Sequence, residues 1–371
     1  MIARGIYAAM AAMAVTAGHA TAGALEQTNQ SIPILFEQGG YAELGFTLAS
    51  PDVRGTDILG TGTGNVGRDY SMGSLGLKLD LTDSMSAALV VDQPFGISVA
   101  YGPASPVFAG TTGQMDSTAV TALLRYRLDG GWAIHGGLRG QWLDASARLG
   151  GLGAGPADGY AVRLGREFGV GYVLGGSYEL PDIALRVALT YNSEIRYDAT
   201  TTETLPAAFG GPAVVTAPIS YATPQSLNLD IQSGIAERTL VFGSIRWVDW
   251  SAFNLSPATF TAATGEALAS YPSDIVTYTL GVGHQVTDSL SLAAAVAYED
   301  ERNRAGSPLG PVNGYTSLSV AAIHETERHR LSVGIGHYWL RDADPQAGGA
   351  PLGTFRDNRL TAIEVKFGFK F

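Results

Sequence analysis

Residues 360–371, the last twelve of the chain, carry the strongest indication of its fold and read LTAIEVKFGFKF. Side chains alternate between the two faces of a β-strand, so one face would hold Thr361, Ile363, Val365, Phe367, Phe369 and Phe371. The opposite face would hold Ala362, Glu364, Lys366, Gly368 and Lys370. This alternation predicts a strand with one apolar and one polar face. A soluble sheet gives the same pattern, so other features must identify what each face meets.

The aromatic end of this strand indicates its environment. Three phenylalanines would point outward, and the last of them is the final residue, Phe371. Such an end resembles the closing strand of bacterial outer-membrane barrels, whose apolar face meets lipid while the polar face lines a lumen. The resemblance implies outer-membrane lipid as a partner, together with the barrel-assembly machinery during biogenesis.

The amino end of the chain agrees with export. Arg4 is the only residue of charged type among residues 1–22, residues 6–15 are almost all apolar, and small residues follow up to Ala22. This pattern predicts a secretory signal peptide over residues 1–22. A membrane anchor fits less well, because the apolar run is shorter than the roughly 20 residues that span a bilayer.

The composition suits many short strands with one face toward lipid. Of the 371 residues, 48 are glycine, none is cysteine, 46% are hydrophobic and 15% are charged. The net charge of −11 lacks the basic footprint that nucleic-acid binding requires, so nucleic acid is not expected as a partner. No later segment approaches 18 consecutive apolar residues, so no transmembrane helix is expected.

Short and long connections alternate after Tyr41, which predicts fourteen strands over residues 41–371. The short connections contain turn-forming residues at 82–84, 129–131, 180–182, 235–238, 287–288 and 325–329. The long connections are rich in Gly, Pro, Ser and Thr and cover roughly 51–69, 97–114, 150–160, 198–224, 255–273, 303–313 and 342–357. An even strand number with short turns at one end and long loops at the other predicts an all-β, transmembrane antiparallel barrel with both termini in the periplasm.

Alternation within the predicted strands supports this fold. Leu75, Leu77, Leu79 and Leu81 alternate with Ser74, Gly76, Lys78 and Asp80, and three other segments behave alike. A soluble β-sandwich would alternate too, but the signal peptide, the strand count and the aromatic end favour the membrane barrel.

Residues 23–40 precede the first strand and form a predicted hatch-like segment. A barrel of this size encloses more space than its own side chains fill. The apolar residues Ile34, Leu35 and Phe36 therefore favour a short plug inside the barrel. A disordered periplasmic tail is the alternative.

Several local patterns resemble the FadL family of outer-membrane transporters for long-chain fatty acids and aromatic hydrocarbons. These patterns follow or flank predicted strands, and they are Ser50-Pro51-Asp52-Val53, Gln93-Pro94-Phe95-Gly96, Tyr191–Asp198, Thr223-Pro224-Gln225-Ser226 and Trp247–Phe253. The resemblance covers about 330 residues and rests on the order and spacing of the patterns. One departure is the leader of about 18 residues, which lacks the family's Asn-Pro-Ala turn.

The resemblance implies a fourteen-strand monomeric barrel with an internal hatch, which takes up hydrophobic small molecules passively and needs no cofactor. It also implies a kink in the third strand that opens the wall sideways. Gln93, Pro94, Phe95 and Gly96 are the matching residues, and Pro94 cannot donate to a ladder. The alternative is that the strand simply ends at Gln93.

Inward-facing arginines are candidates for a carboxylate headgroup, because a guanidinium binds a carboxylate through two N–H groups. Arg139 and Arg246 are the best placed, toward the outer half of strands that enter long loops, and Arg125 follows. The alternative is a structural network with lumen carboxylates such as Asp92 and Glu299.

Apolar loop residues are candidates for the substrate's hydrocarbon part. Leu152 and Phe209 lie in the predicted loops 150–160 and 198–224, and an apolar loop patch is unusual on a soluble surface. Ordinary loop–loop packing is the alternative.

Enzyme readings find little support in the sequence. Residues 62–67 fit a dinucleotide pattern but lie in a predicted loop without a following helix, and no Gly-x-Ser-x-Gly elbow occurs. The histidines show no metal-ligand spacing, so no metal is expected. The remaining functional alternatives are a general diffusion porin and a structural or adhesive barrel that acts through its loops.

Overall fold

The computed structural model describes residues 25–301 and 305–371, and these residues form a closed antiparallel barrel of fourteen strands. The predicted signal peptide, residues 1–22, lies outside the described residues. The strands are β1 (Tyr41–Asp52), β2 (Tyr70–Asp80), β3 (Met85–Asp92 and Gly96–Ala100), β4 (Thr112–Arg127), β5 (Trp132–Arg148), β6 (Ala161–Leu180), β7 (Leu185–Asn192 and Ile195–Leu205), β8 (Ala213–Thr223 and Ser226–Ala236), β9 (Thr239–Val248), β10 (Ile275–Gln285), β11 (Leu290–Glu299), β12 (Tyr315–Glu325), β13 (His329–Leu340) and β14 (Asn358–Lys370).

The last strand closes the ring, as its pattern predicted. β14 pairs antiparallel with β1 along twelve residues, from Tyr41 opposite Lys370 to Asp52 opposite Arg359. Phe367, on the outward face of β14, is 45% exposed, whereas Ala362 on the inward face is 1% exposed. The predicted fourteen-strand membrane barrel is therefore confirmed, with its apolar side chains on the outside.

Three strands are interrupted. β3 breaks at residues 93–95, β7 at 193–194 and β8 at 224–225. Proline has no N–H to donate to a ladder, which explains why the breaks in β3 and β8 fall at Pro94 and Pro224.

The predicted long loop over 198–224 is wrong. β7 continues to Leu205 and β8 begins at Ala213, so only seven residues connect them. The Gly, Pro, Ser and Thr content of this segment indicated a loop. Threonine, however, is β-branched and favours strands. The threonines at 200–202 and 204 lie in the second part of β7, which pairs with β8 along Ile195–Leu205 and with β6 at residues 201–204. The six short turns were predicted correctly.

The long loops contain short secondary-structure elements of their own. The described parts of these loops contain eight short strands, at Arg54–Asp57, Gly62–Asn65, Asn254–Leu255, Ala269–Ser270, Ala305–Gly306, Asp344–Ala347, Ala350–Pro351 and Gly353–Phe355. Within the described residues, one α-helix, α1, spans Ala258–Thr264. Short 3-10 helices occur at Pro33–Phe36, Asp129–Gly131, Leu152–Ala157, Pro181–Ile183, Ala207–Phe209 and Trp250–Ala252. No helix in the described ranges has the length and apolar character to cross a membrane.

Residues 25–40 contact inward-facing side chains of the barrel wall. Ile34 and Leu35 are buried in a cluster with Ala88, Leu123 and Val173. Residues 25–40, the described part of the leader, therefore lie within the ring of strands.

Candidate functional site

A large cavity lies beneath the long loops and measures about 810 Å³. Its lining is mainly apolar and combines wall, loop and leader residues, including Leu25, Ile97, Met115, Phe209, Phe253 and Phe260. A volume of this size falls in the range of small-molecule sites, which are typically lined by hydrophobic and aromatic groups. Among the described lining residues, Glu266 is the one acidic side chain, and none is an arginine or a lysine.

Helix α1 covers this cavity and is held by a buried carboxylate on the wall. Glu203 of β7 accepts hydrogen bonds from the backbone N–H groups of Thr259 and Phe260, at 3.3 Å and 3.2 Å. It also accepts a hydrogen bond from the Tyr160 hydroxyl at 2.8 Å. Burial, assisted by this acceptor, raises the pKa of Tyr160. The first turn of a helix leaves N–H groups unpaired, so Glu203 acts as a cap that fixes Phe260 in the cavity lining.

The leader meets the break in β3 at the floor of the cavity. The N–H of Gly96 donates to the Leu25 carbonyl at 2.7 Å, and the N–H of Gln27 donates to the Pro94 carbonyl at 2.7 Å. Glu26 and Phe95 form an antiparallel bridge between them. The broken part of β3 thus has two partners at this point. One is the backbone of the leader, and the other is Ser117 of β4, whose hydroxyl accepts from the Phe95 N–H at 2.8 Å and donates to the Phe95 carbonyl at 2.6 Å.

A gap in the described wall opens between β2 and β3. The ladder joins Asp80 through Leu75 of β2 to β3 and extends no further, although residues 70–74 remain paired with β1. A side chain crosses the gap instead, because the Gly73 N–H donates to the Gln93 side-chain oxygen at 3.0 Å. On the loop side of the gap, the Ala100 N–H donates to the Val66 carbonyl at 2.9 Å, so the end of β3 contacts the segment that precedes β2.

A second, smaller cavity of about 100 Å³ lies on the inner side of this gap. Gln27 and Thr28 of the leader, Gly73 of β2 and Asp92 of β3 contribute to its lining. Thr28 donates a hydrogen bond to the Asp92 carboxylate at 2.9 Å. The leader therefore borders both the large cavity, through Leu25, and the small cavity.

The side chain of Gln27 in the leader packs closely against Gly96 at this junction. A Cβ atom at residue 96 would lie 2.4 Å from the side-chain nitrogen of Gln27. Any larger residue there would have to displace Gln27, so the glycine allows the leader to dock against the break.

Arg246 and Arg139 lie below the large cavity, in a polar network. Arg246 donates through Nε to Glu26 at 3.1 Å and through Nη1 to Asn228 at 2.6 Å. Arg139 donates to Thr121 at 2.8 Å and to Asn192 at 3.0 Å. Both predicted headgroup residues are thus occupied by protein partners, and neither lines the large cavity.

The other predicted residues are spread over three environments. Phe209 lines the large cavity, whereas Leu152 is an exposed loop residue outside its lining. Arg125 forms an ion pair with Glu179 and lies over the ring of Phe36, 4.7 Å from its centroid. The predicted plug residues Ile34, Leu35 and Phe36 form the 3-10 helix of the leader.

Several residues of the site were not singled out from the sequence. Leu25 and Glu26 lie a few residues after the predicted signal peptide. Their partners Gly96 and Arg246 are about 70 and 220 residues away, so the pairing has no local signal. Glu203 lies in the segment that was predicted to be a loop. The alternating pattern of this segment was a signal that could have identified it as a strand. Phe260 belongs to a short helix that depends on that cap.

The described histidines, aspartates and glutamates form no cluster that could hold a metal ion. The site consists instead of an apolar cavity, a docked leader and a gap in the wall. A closed antiparallel barrel with an apolar outside and such an interior has the architecture of an outer-membrane transport barrel.

Comparison with known proteins identifies the family. The chain belongs to the outer membrane protein transport protein family (OMPP1/FadL/TodX), whose model matches residues 8–344. The family consists of transport proteins, which agrees with the prediction that the chain is not an enzyme. No curated protein sequence matches the chain.

Solved structures show the same fold at low sequence identity. A FadL homologue of Pseudomonas aeruginosa is 15% identical with a TM-score of 0.74, and the match covers 96% of this chain and 97% of that one. The toluene transporter TodX of Pseudomonas putida is 15% identical with a TM-score of 0.63, covering 94% and 96%. The toluene transporter TbuX of Ralstonia pickettii is 13% identical with a TM-score of 0.61, covering 96% and 97%.

Proposed function

We propose that this protein is a passive outer-membrane channel for hydrophobic small molecules, which enter from the loop side and leave sideways through the gap between β2 and β3. The observation that carries the proposal is the position of the leader, whose residues border both the large apolar cavity and the small cavity inside the gap. Long-chain fatty acids or similar apolar molecules, including aromatic hydrocarbons, are the proposed substrates. The likeness to two proteins described as toluene transporters supports an apolar substrate.

Hydrophobic transfer supplies the driving force for capture. Each methylene that leaves water for the apolar cavity gains roughly 0.8 kcal/mol. No nucleotide or cofactor is needed for such a step, since the substrate moves down its own concentration gradient into lipid.

The leader is the proposed barrier between the two cavities. It is held by the backbone bonds to Pro94 and Gly96 and by the ion pair between Glu26 and Arg246. Release of this segment would join the large cavity to the small one. The substrate could then pass Gln93, which is the side chain that spans the gap.

A lateral exit avoids an aqueous step. An apolar molecule that crossed to the periplasm would have to return to water, whereas the gap faces the membrane. Neighbouring outward residues such as Leu48, Leu75 and Leu89 are exposed and apolar, as expected for contact with lipid.

The test is a reversible lock across the gap. The chain has no cysteine, so Gly73→Cys combined with Gln93→Cys provides the only thiol pair, and a Cβ at residue 73 meets nothing within 4 Å. A short bis-methanethiosulfonate linker would join the two thiols, and reductant would remove it. We expect the locked protein to lose uptake of a radiolabelled fatty acid and of toluene in cells, and we expect reductant to restore it.

A matched lock elsewhere in the wall serves as the control. Ala293→Cys with Ala321→Cys joins two residues that are already paired between β11 and β12. This second lock should leave uptake unchanged. Undiminished uptake through the protein locked at residues 73 and 93 would refute the lateral exit.

A further inference from the structure

A layer of buried polar side chains lies between the large cavity and the arginine network. On β5, the inward residues from the cavity downward are Ala145, Leu143, Gln141 and Arg139. Ala145 lines the cavity and Arg139 belongs to the network. Gln141 lies between these two levels and is 0% exposed.

The polar atoms of this layer lack hydrogen bonds of ordinary geometry. They are the side-chain oxygen and nitrogen of Gln141 and the hydroxyls of Tyr197 and Tyr221. A buried polar group without a partner costs about 1–3 kcal/mol. Four such atoms in one layer are therefore expensive for the fold alone, and a bound polar group would offset the cost.

These side chains lie close together on neighbouring strands. Tyr197 and Tyr221 stack with ring centroids 5.1 Å apart and planes inclined by 14°. Gln141 pairs across the ladder with Gly169, where a Cβ atom would approach Tyr197 to 3.0 Å. The hydroxyl of Tyr197 is directed toward the side chains of Thr223 and Gln141. The missing side chain at residue 169 thus leaves room for the tyrosine beside the amide.

A further donor reaches the same buried cluster from the loop after β9. The indole N–H of Trp250 has no hydrogen-bond partner, and the ring meets Phe95 edge-on with centroids 6.0 Å apart. Phe95 belongs to the break in β3. Trp250 therefore places a further donor in the buried cluster that also contains Tyr197, Tyr221 and Phe95.

The chemistry of the layer selects against charge. An amide offers both a donor and an acceptor, a phenol offers both, and an indole N–H donates. The carboxylates of Glu167 and Asp144 lie near Tyr221 and would repel an anion. An uncharged oxygen that accepts and donates hydrogen bonds fits this set without the cost of burying a charge.

We propose that Gln141, Tyr197 and Tyr221 form a subsite that receives the uncharged oxygen of a phenol, ring alcohol or ketone carried on an otherwise apolar substrate. The inference rests on the proposed channel function and narrows its substrate class. It gives the channel a preference for oxygenated apolar molecules over plain hydrocarbons of the same size.

Two matched probes test this preference on the full-length protein in lipid nanodiscs. The probes are 4-ethylphenol and ethylbenzene, which differ by one hydroxyl group, and binding is corrected for empty nanodiscs. We expect Tyr221→Phe and Gln141→Met to weaken 4-ethylphenol binding by about tenfold each, as loss of a buried hydrogen bond predicts. Ethylbenzene binding should stay within twofold of the wild-type value.

Controls separate this inference from the channel proposal. Tyr278→Phe removes a hydroxyl from an exposed residue on the outer face and should change neither affinity. Folding of each variant is checked by its heat-dependent shift on a denaturing gel. If ethylbenzene binds and the variants bind 4-ethylphenol as tightly as the wild type does, the layer holds only water and the subsite is refuted. If neither probe binds the wild-type protein, the channel proposal falls as well.

Discussion

Glu203 joins the barrel wall to the cover of the cavity, and it does so as a single fully buried side chain. Its carboxylate accepts from Tyr160 on one side and from two N–H groups of helix α1 on the other. Charged acceptors at the first turn of a helix are stabilising because they meet unpaired donors and the positive end of the helix dipole. The cavity's shape therefore depends on one carboxylate at the rim of the wall.

Replacing Glu203 by alanine should loosen helix α1. The change leaves the Tyr160 hydroxyl and two N–H groups without their acceptor, at a local cost of about 1–3 kcal/mol. We expect faster amide hydrogen exchange over residues 258–264 and weaker binding of apolar probes. Glu266→Ala removes an exposed carboxylate from the same cavity and should leave exchange in α1 unchanged. Equal exchange rates in the two variants would contradict the capping role.

The leader and the broken part of β3 behave as one element, because backbone hydrogen bonds at Pro94 and Gly96 join them. The sequence predicted the break from Pro94, since a residue without an N–H cannot continue a ladder. It could not predict the docked partner, since Leu25 and Glu26 are about 70 and 220 residues from the groups they meet. Alternation along β2 and β14 was readable because each strand separates lipid from lumen.

The polar contacts of the lumen show why the candidate arginines were harder to interpret. Their inward parity on β5 and β9 follows from the period of two, and the structure places them inside as expected. Whether an inward arginine meets a substrate or another protein group depends on which distant residues share its level in the barrel. Arg246 meets Glu26 of the leader, which no spacing within β9 can indicate.

Breaking the ion pair between Glu26 and Arg246 should release the leader. Both side chains are buried, and removing one partner of a buried pair costs about 3–5 kcal/mol. We expect Glu26→Gln to raise single-channel conductance in planar bilayers well above that of the wild type, whose leader stays docked. Glu194→Gln breaks an exposed pair with Arg196, which is worth at most about 1 kcal/mol, and should conduct like the wild type. High conductance of the wild type itself would favour a general diffusion porin.

Closure of the ring joins the two ends of the described chain and makes the barrel one cooperative unit. At this seam, Tyr41 of β1 is 1% exposed and lies against Gly368 of β14. Arg330 of β13 lies over the ring of Tyr41 and pairs with Glu37 of the leader at 2.6 Å. β13, the neighbour of the closing strand, therefore helps to hold the segment that we propose as the barrier.

Gly368→Ala should destabilise the whole barrel through this seam. The added Cβ would lie 2.1 Å from the hydroxyl oxygen of Tyr41, whose ring is fixed by burial and by Arg330. Overpacking of this kind costs about 1–3 kcal/mol, which we expect to measure as a lower free energy of unfolding in urea. Gly73→Ala is the matched control, because a Cβ there meets nothing within 4 Å. Because closure is a property of all fourteen strands, the loss should appear in the single unfolding transition rather than as local fraying, and equal stability of the two variants would show that the seam tolerates the added atom.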